Sequence, residues 1–177
     1  MIRELRLDFQ RYHVSWWRLW FMPPIWAIVW YRLGHWLYKE TDLKVLGILK
    51  PPYQLGYIFI EAFMQMRLDP STEIGGGLRI GHSGGVHLHP DVVIGENCDI
   101  AHHVTIGMSA GGRKGVPRIG NGVFIGTGAT IIGKIKIGDG ARIAANTLVM
   151  ISVPAGATII GVPGRLMAVP KPPTESG

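Results

Sequence analysis

From Ile119 onward the apolar positions keep a fixed step. Ile119, Ile125, Ile131, Ile137, Ile143 and Val149 stand six residues apart, and the fourth residue after each (Val123, Ala129, Ile135, Ala141, Thr147, Val153) is small or apolar. An earlier block runs Ile74 and Ile80, slips by two residues at Gly84 and Gly85, and resumes at Leu88, Ile94, Ile100 and Ile106. This period fits neither the roughly 3.6-residue turn of a helix nor the alternation of a half-buried strand. It fits a parallel β-helix, in which each hexapeptide makes a short strand and a corner, and three hexapeptides close one triangular coil. The branched side chains then stack inside, and the glycines and asparagines that follow them suit tight corners. Between Gly107 and Pro117 the phase is broken by GMSAGGRKGVP, too polar for the interior, and this segment is predicted to project as a loop. Cys98 falls on the same inward fourth position as Val92 and Val104, which makes it a small core residue rather than a reactive thiol.

The first 66 residues follow a different rule. Ile25, Ile28, Val29, Leu33, Trp36 and Leu37 form a helical stripe with Arg32 as its polar break, introduced by Pro23 and Pro24 at a helix start. Lys50, Pro51 and Pro52 predict a break, with another short helix over 57–66. The expected organisation is therefore a helical region over 1–66, a β-helix over 67–168 with its excursion at 107–117, and a flexible tail over 169–177. The uncharged run from Leu19 to Tyr31 is shorter than the roughly 20 residues needed to span a bilayer. Trp16, Trp17, Trp20, Trp26, Trp30 and Trp36, with Arg18 and Arg32 nearby, nevertheless have the amphipathic chemistry of a membrane interface. Packing against the β-helix or a neighbouring subunit is the other reading of these rings. Glu4 and Asp8 in the first turns, with no small-residue cleavage site after the apolar stretch, argue against a secretory signal.

Composition narrows the classes. With 25 glycines in 177 residues and only 17% charged positions, the chain is neither disordered nor a helical bundle. One cysteine excludes an internal disulfide and any zinc site built on several thiolates, and permits a cytoplasmic location. The net charge of +6 favours phosphates, anionic lipids or acidic polymers. No arginine-rich run or aromatic-plus-basic repeat points to nucleic acid.

The order of these parts resembles the hexapeptide-repeat acyltransferases, and within them the serine acetyltransferase group and its colanic acid or exopolysaccharide acetyltransferase relatives. The likeness covers roughly residues 68 to 168. It is carried by IGGGLRIGHSGG (74–85), VVIGENCDIAHHVTIG (92–107), PRIGNGVFIGTGATIIG (117–133) and VPAGATIIGVPGR (153–165). The resemblance implies a mainly β fold, a left-handed parallel β-helix with a short α-helical N-terminal region. It also implies a homotrimer that holds acetyl-CoA as co-substrate in the groove between neighbouring prisms, with no metal. Gly107, Thr127, Ala145 and Arg165 match the family's coenzyme-contacting positions. Gly126, Thr127, Ala144 and Ala145 are small enough at their corners for a pantetheine chain to pair with the backbone. Arg113 and Lys114 in the loop are candidates for the phosphates or are plain solvated charges, and Gly161 and Pro163 shape the chain.

Acetyl transfer from a thioester to a hydroxyl needs a group to take the hydroxyl proton, a task suited to histidine. His82 aligns with the catalytic histidine of the resembled enzymes, acting through Nε2, with backbone N–H groups steadying the oxyanion. His102, by the same resemblance, faces the cleft to hold the acceptor or orient His82; a structural role is the other reading. No acyl-enzyme nucleophile is required, so Ser83 reads as a turn residue, and His87 and His89 as surface or packing residues. Serine acetyltransferases carry carboxylates and a loop histidine where this chain has Arg67, Gly81 and Val116. Those departures favour a neutral acceptor: a saccharide hydroxyl in exopolysaccharide biosynthesis, met in the cytoplasm or at the inner membrane face through the aromatic segment. Serine O-acetylation in cysteine biosynthesis is the alternative, followed by a β-helix zinc carbonic anhydrase, for which His82 and His87 have a suitable spacing, and a non-catalytic trimeric scaffold.

Overall fold

The computed structural model describes residues 1–19, 21–40, 43–110 and 115–167. Trp20, Arg113, Lys114 and the tail expected over 169–177 lie outside the described residues. Four helices lead the chain: α1 (Ile2–Gln10), α2 (Trp16–Leu19), α3 (Pro23–Glu40) and α4 (Leu43–Met64). Pro23 and Pro24 open α3 where a missing N–H costs nothing, and Ile25, Ile28 and Leu37 of the stripe are buried.

The break expected at Lys50, Pro51 and Pro52 does not occur; α4 runs through both prolines. Proline there removes the bonds that would end on the carbonyls of Gly47 and Ile48, and both residues are exposed, so water takes their place. Packing beyond the prolines holds the helix on course. Tyr53 stacks on Trp30 at 5.7 Å, and Trp30 Nε1 donates to the Tyr53 carbonyl at 3.1 Å. Gly34 and Gly56 make the crossing of α3 and α4 close, since a side chain on either would overlap Tyr53 or Trp30.

The strands follow as coils of three. Coil one holds β1 (Met66–Arg67), β2 (Glu73–Ile74) and β3 (Arg79–Ile80); coil two holds β4 (Val86–Leu88), β5 (Val93–Ile94) and β6 (Asp99–Ile100). Coil three holds β7 (Thr105–Gly107), β8 (Arg118–Ile119) and β9 (Phe124–Ile125); coil four holds β10 (Thr130–Ile132), β11 (Lys136–Ile137) and β12 (Arg142–Ile143). The last coil has β13 (Leu148–Val149) and β14 (Thr158–Ile160), and β15 (Arg165–Leu166) folds back antiparallel on β14. Equivalent strands pair in parallel and make three flat faces: β1-β4-β7-β10-β13, β2-β5-β8-β11 and β3-β6-β9-β12-β14.

Register places the branched residues in columns inside the prism. Ile80, Ile100, Ile125, Ile143 and Ile159 stack on one another, and all are buried. Val153 departs from the position its spacing assigned. It bridges to Ile137 and so takes a corner-isoleucine place, because the last coil is shortened between β13 and β14. The Gly84–Gly85 slip is absorbed in the corner between β3 and β4, where both glycines have positive φ.

Coil one would expose a rim of unpaired backbone groups, and the helices cover it. Arg32 is buried and donates to the carbonyls of Ile74 and Gly75, each at 2.6 Å, while its guanidinium forks onto Asp8 at 2.9 and 3.1 Å. Asp8, fully buried, accepts the Leu78 N–H at 2.8 Å. Tyr12 Oη accepts the Ile80 N–H at 3.0 Å and donates to the Ile80 carbonyl at 3.1 Å, and Tyr31 Oη donates to the Thr72 carbonyl at 2.7 Å. Burial lifts the Asp8 carboxyl above its ordinary value, with the Arg32 guanidinium pulling the other way, and pushes Tyr12 up to about 12. Arg32, expected as a mere polar break in the stripe, is thus the hub of the cap.

Trp30 and Trp36 are half-buried, and Trp30 packs between helices. On the outer side of α4, Ile48, Leu55, Ile58, Phe59 and Phe63 are exposed. Among the described residues no helix is long and apolar enough to cross a membrane.

Candidate active site

One corner of the prism collects most of the residues singled out from the sequence. The corner after the β3-β6-β9-β12-β14 face carries His82 in coil one, His102 and His103 in coil two, Gly126 and Thr127 in coil three, and Ala144 and Ala145 in coil four. Backbone bonds tie each rung to the next. His103 N–H donates to Gly84, Gly128 N–H to His102 and Asn146 N–H to Thr127, at 2.9, 3.1 and 2.7 Å. Side chains along this corner must be small where rungs touch: a Cβ on Gly126 would sit 2.7 Å from the Ala145 nitrogen. At Gly85, with φ +67, a Cβ would lie 3.0 Å from the Cα of His103.

Those constraints bring the histidines together. His82 stands exposed in the widened corner, its ring edge-on to that of His102 with centroids 5.6 Å apart and planes at 80°. His103 flanks His102 at 5.2 Å. His102 Nδ1 is buried without a hydrogen-bond partner. Beneath this corner Asp99 holds Arg79 Nε at 2.5 Å and the α1 end residue Arg11 at 2.6 Å, a charge cluster that fixes coil two against the helices.

Gly107 does not join this row. It ends β7 on the next edge of the prism, beside His89 and Gly133, across the β1-β4-β7-β10-β13 face from His82. Arg165 is exposed on β15, opposite Ile160 at the far end of the stack. His87 points out from that same face between Arg67 and Thr105, and His89 Nδ1 accepts the Asp91 N–H at 3.2 Å. His82 thus stands on a corner and His87 on the face that corner bounds, and among the described residues no three His, Cys, Asp or Glu side chains converge on a metal position.

Cys98 is buried, with Sγ directed to the Gly120 carbonyl at 3.2 Å, and burial pushes its thiol up to about 11. It is expected to resist iodoacetamide in the folded protein and to react once guanidinium unfolds the chain; fast labelling of native protein would contradict its place in the core.

The bacterial transferase hexapeptide family (six repeats) matches residues 117–150. The chain is 33% identical over 147 residues to the serine acetyltransferase of Synechococcus elongatus, covering 82% of this chain and 57% of that protein. Among solved structures it superposes on the serine acetyltransferase of Brucella abortus with a TM-score of 0.81 at 30% identity, covering 93% of this chain and 68% of that one. The Brucella enzyme has also been solved in complex with coenzyme A. The Neisseria gonorrhoeae serine acetyltransferase, solved in complex with serine, gives a TM-score of 0.76 at 28% identity over 94% of this chain and 68% of that chain. The chain spans about half to two thirds of the length of the curated relatives it matches.

These likenesses correct the saccharide acceptor and the exopolysaccharide setting inferred from Arg67, Gly81 and Val116, for the relatives found are serine acetyltransferases. The likeness to colanic acid acetyltransferases finds no support among them. Those three positions are not the whole supply of charge. Arg67 is in fact met by Glu61 of α4 at 3.8 Å, which brings a carboxylate to this end of the prism, and Val116 packs on the core. With the sheets parallel and the repeats matched, the coil is the left-handed β-helix of these enzymes. The chain belongs to the hexapeptide-repeat transferases, within the serine acetyltransferase group.

Proposed function

We propose that the chain is an acetyl-CoA-dependent serine O-acetyltransferase of cysteine biosynthesis, with His82 as its general base. The observation that carries this reading is the single corner on which the His82 and His102 rings meet, continuous with the small-residue rungs at Gly126, Thr127 and Ala145. His82 takes the serine hydroxyl proton on Nε2 as the oxygen bonds to the thioester carbonyl carbon. When the C–S bond breaks, the imidazolium returns that proton to the departing sulfur, leaving O-acetylserine and free coenzyme A. The buried, unpartnered Nδ1 of His102 supports a role in binding the acceptor or steadying His82. Backbone N–H groups at the corner meet the oxyanion.

Thr127 and Ala145 line one edge and Gly107 the next, so one coenzyme touches all three only where a neighbouring copy lays its Gly107 edge against this corner. Three-fold closure repeats that contact without leaving an open end, which supports a homotrimer with shared sites. Arg165, at the end of the row, is assigned to the nucleotide end of the coenzyme. A small water-soluble acceptor gives the aromatic N-terminal segment no need of a membrane, and that contact has no support; the proposed location is the cytoplasm.

Labelled acetyl-CoA offered with L-serine, nucleotide sugars and membrane glycolipids in parallel is expected to acetylate serine. Transfer to a sugar with serine left untouched would overturn the proposal.

A further inference from the structure

We infer that the groove on the β2-β5-β8-β11 face, beside the root of the excursion, is a binding site for phosphoryl groups, built on Arg118, Lys134 and Lys136. The groove is about 790 Å³ and lies away from the histidine corner, under the residues where the excursion leaves and rejoins the prism. Register sets Lys136 directly beside Arg118 on neighbouring strands, both exposed and pointing outward. Lys134, two residues before Lys136, projects on the same side. Like charges opposed across adjacent strands work against the sheet, so a fold that keeps them is served by an anion between them.

What sets this cluster apart is that three cations line one groove. Arg79 and Arg11 share Asp99, Arg32 holds Asp8, Lys39 meets Glu73, and Arg67 is beside Glu61. Arg118, Lys134 and Lys136 have no ion pair or side-chain hydrogen bond among the described residues. Glu73 shares their face two strands from Arg118 and is paired with Lys39 at 3.1 Å; Lys39 first, and Arg118 after it, hold its carboxyl below the ordinary value, so Arg118 is only distantly balanced. Asp91 is the lone acid on the rim.

The groove is also built for approach. Gly115, with φ +146, lies against the Lys134 stem, where a Cβ would stand 2.9 Å from that side chain, so the returning excursion can press the lysine toward the groove. Ser152 Oγ accepts the Lys136 N–H at 3.1 Å, which leaves its own proton free to donate to a ligand oxygen. Three cations, one hydroxyl donor and a concave floor suit a diphosphate. Two sources offer that chemistry: free pyrophosphate and the diphosphate of coenzyme A.

Calorimetry with inorganic pyrophosphate at low salt tests the site. The full chain is expected to bind it, and the Lys134→Gln/Lys136→Gln double variant to bind at least tenfold more weakly with an unchanged melting temperature and a shallower salt dependence. Absence of binding, or equal binding by both proteins, overturns the inference. If saturating coenzyme A abolishes the pyrophosphate heat and the double variant raises KM for acetyl-CoA about tenfold at constant kcat, the diphosphate is the coenzyme's; if pyrophosphate still binds, the site serves a separate anion. Pyrophosphate binding by a protein that acetylates no serine would sink the acyl-transfer reading and leave this one standing.

Discussion

Replacing His82 with alanine is expected to lower serine acetylation by roughly 10²- to 10⁴-fold, the usual loss on removing a general base, while the fold stays intact. The ring is exposed in a corner widened by two glycines, and its recorded ring contact is the edge of His102, so nothing in the core depends on it. Thermal melting and oligomeric state should match the parent protein. The loss should fall on kcat, because the rungs assigned to the coenzyme, Thr127 and Ala145, lie one and two coils beyond His102 along the corner. A His102→Ala variant should lose less, and its defect should include a raised KM for serine if Nδ1 holds the acceptor. An unchanged rate in His82→Ala would move the base elsewhere and with it the whole assignment of this corner.

Asp8→Ala is expected to destabilise the protein by about 3–5 kcal/mol, measured as a lowered midpoint in urea at constant slope. Asp8 has no exposed surface and accepts three bonds, two from the Arg32 guanidinium and one from the Leu78 N–H. Without it the guanidinium remains buried with the Ile74 and Gly75 carbonyls but loses the carboxylate it is hydrogen-bonded to. The sharper test is the double replacement Asp8→Leu with Arg32→Met, which removes both charges. It should recover part of the single-variant loss, because the penalty of an orphaned charge vanishes with the charge. Additive losses would show that the two residues act independently, contrary to their geometry.

The prism was readable because its interior is a one-dimensional code. A branched residue at each sixth position from Ile119 to Val149 has no other solution that buries them all. The code failed where the step changed length: Val153 keeps the spacing of a fourth-position residue, yet a shortened coil hands it the column of Ile137. The helices were less legible. Whether Pro51 and Pro52 end a helix depends on whether water can reach the carbonyls one turn back, a property of tertiary exposure that local sequence lacks. Arg32 and Asp8 pair across two helices and a β-coil, so their joint burial leaves no local trace.

The site divided in the same way. The motifs set His82 and His102 on one cleft, and their rings do meet edge-on; the small residues Gly126, Thr127 and Ala145 share that corner, while their roles rest on the proposed function. Arg67, Gly81 and Val116 taken singly point to a saccharide acceptor, but likeness to serine acetyltransferases along most of the chain outweighs three positions. The Arg118 and Lys136 pair was invisible before register set the two strands side by side.

A stack of identical rungs has no natural length, since any bare rim is a template for another molecule's rim. Here the starting rim is sealed by Asp8, Tyr12, Tyr31 and Arg32, and no backbone donor or acceptor they engage is left for an incoming strand. Strand-on-strand addition at that end is therefore blocked, which keeps a fold built like a fibre from growing into one.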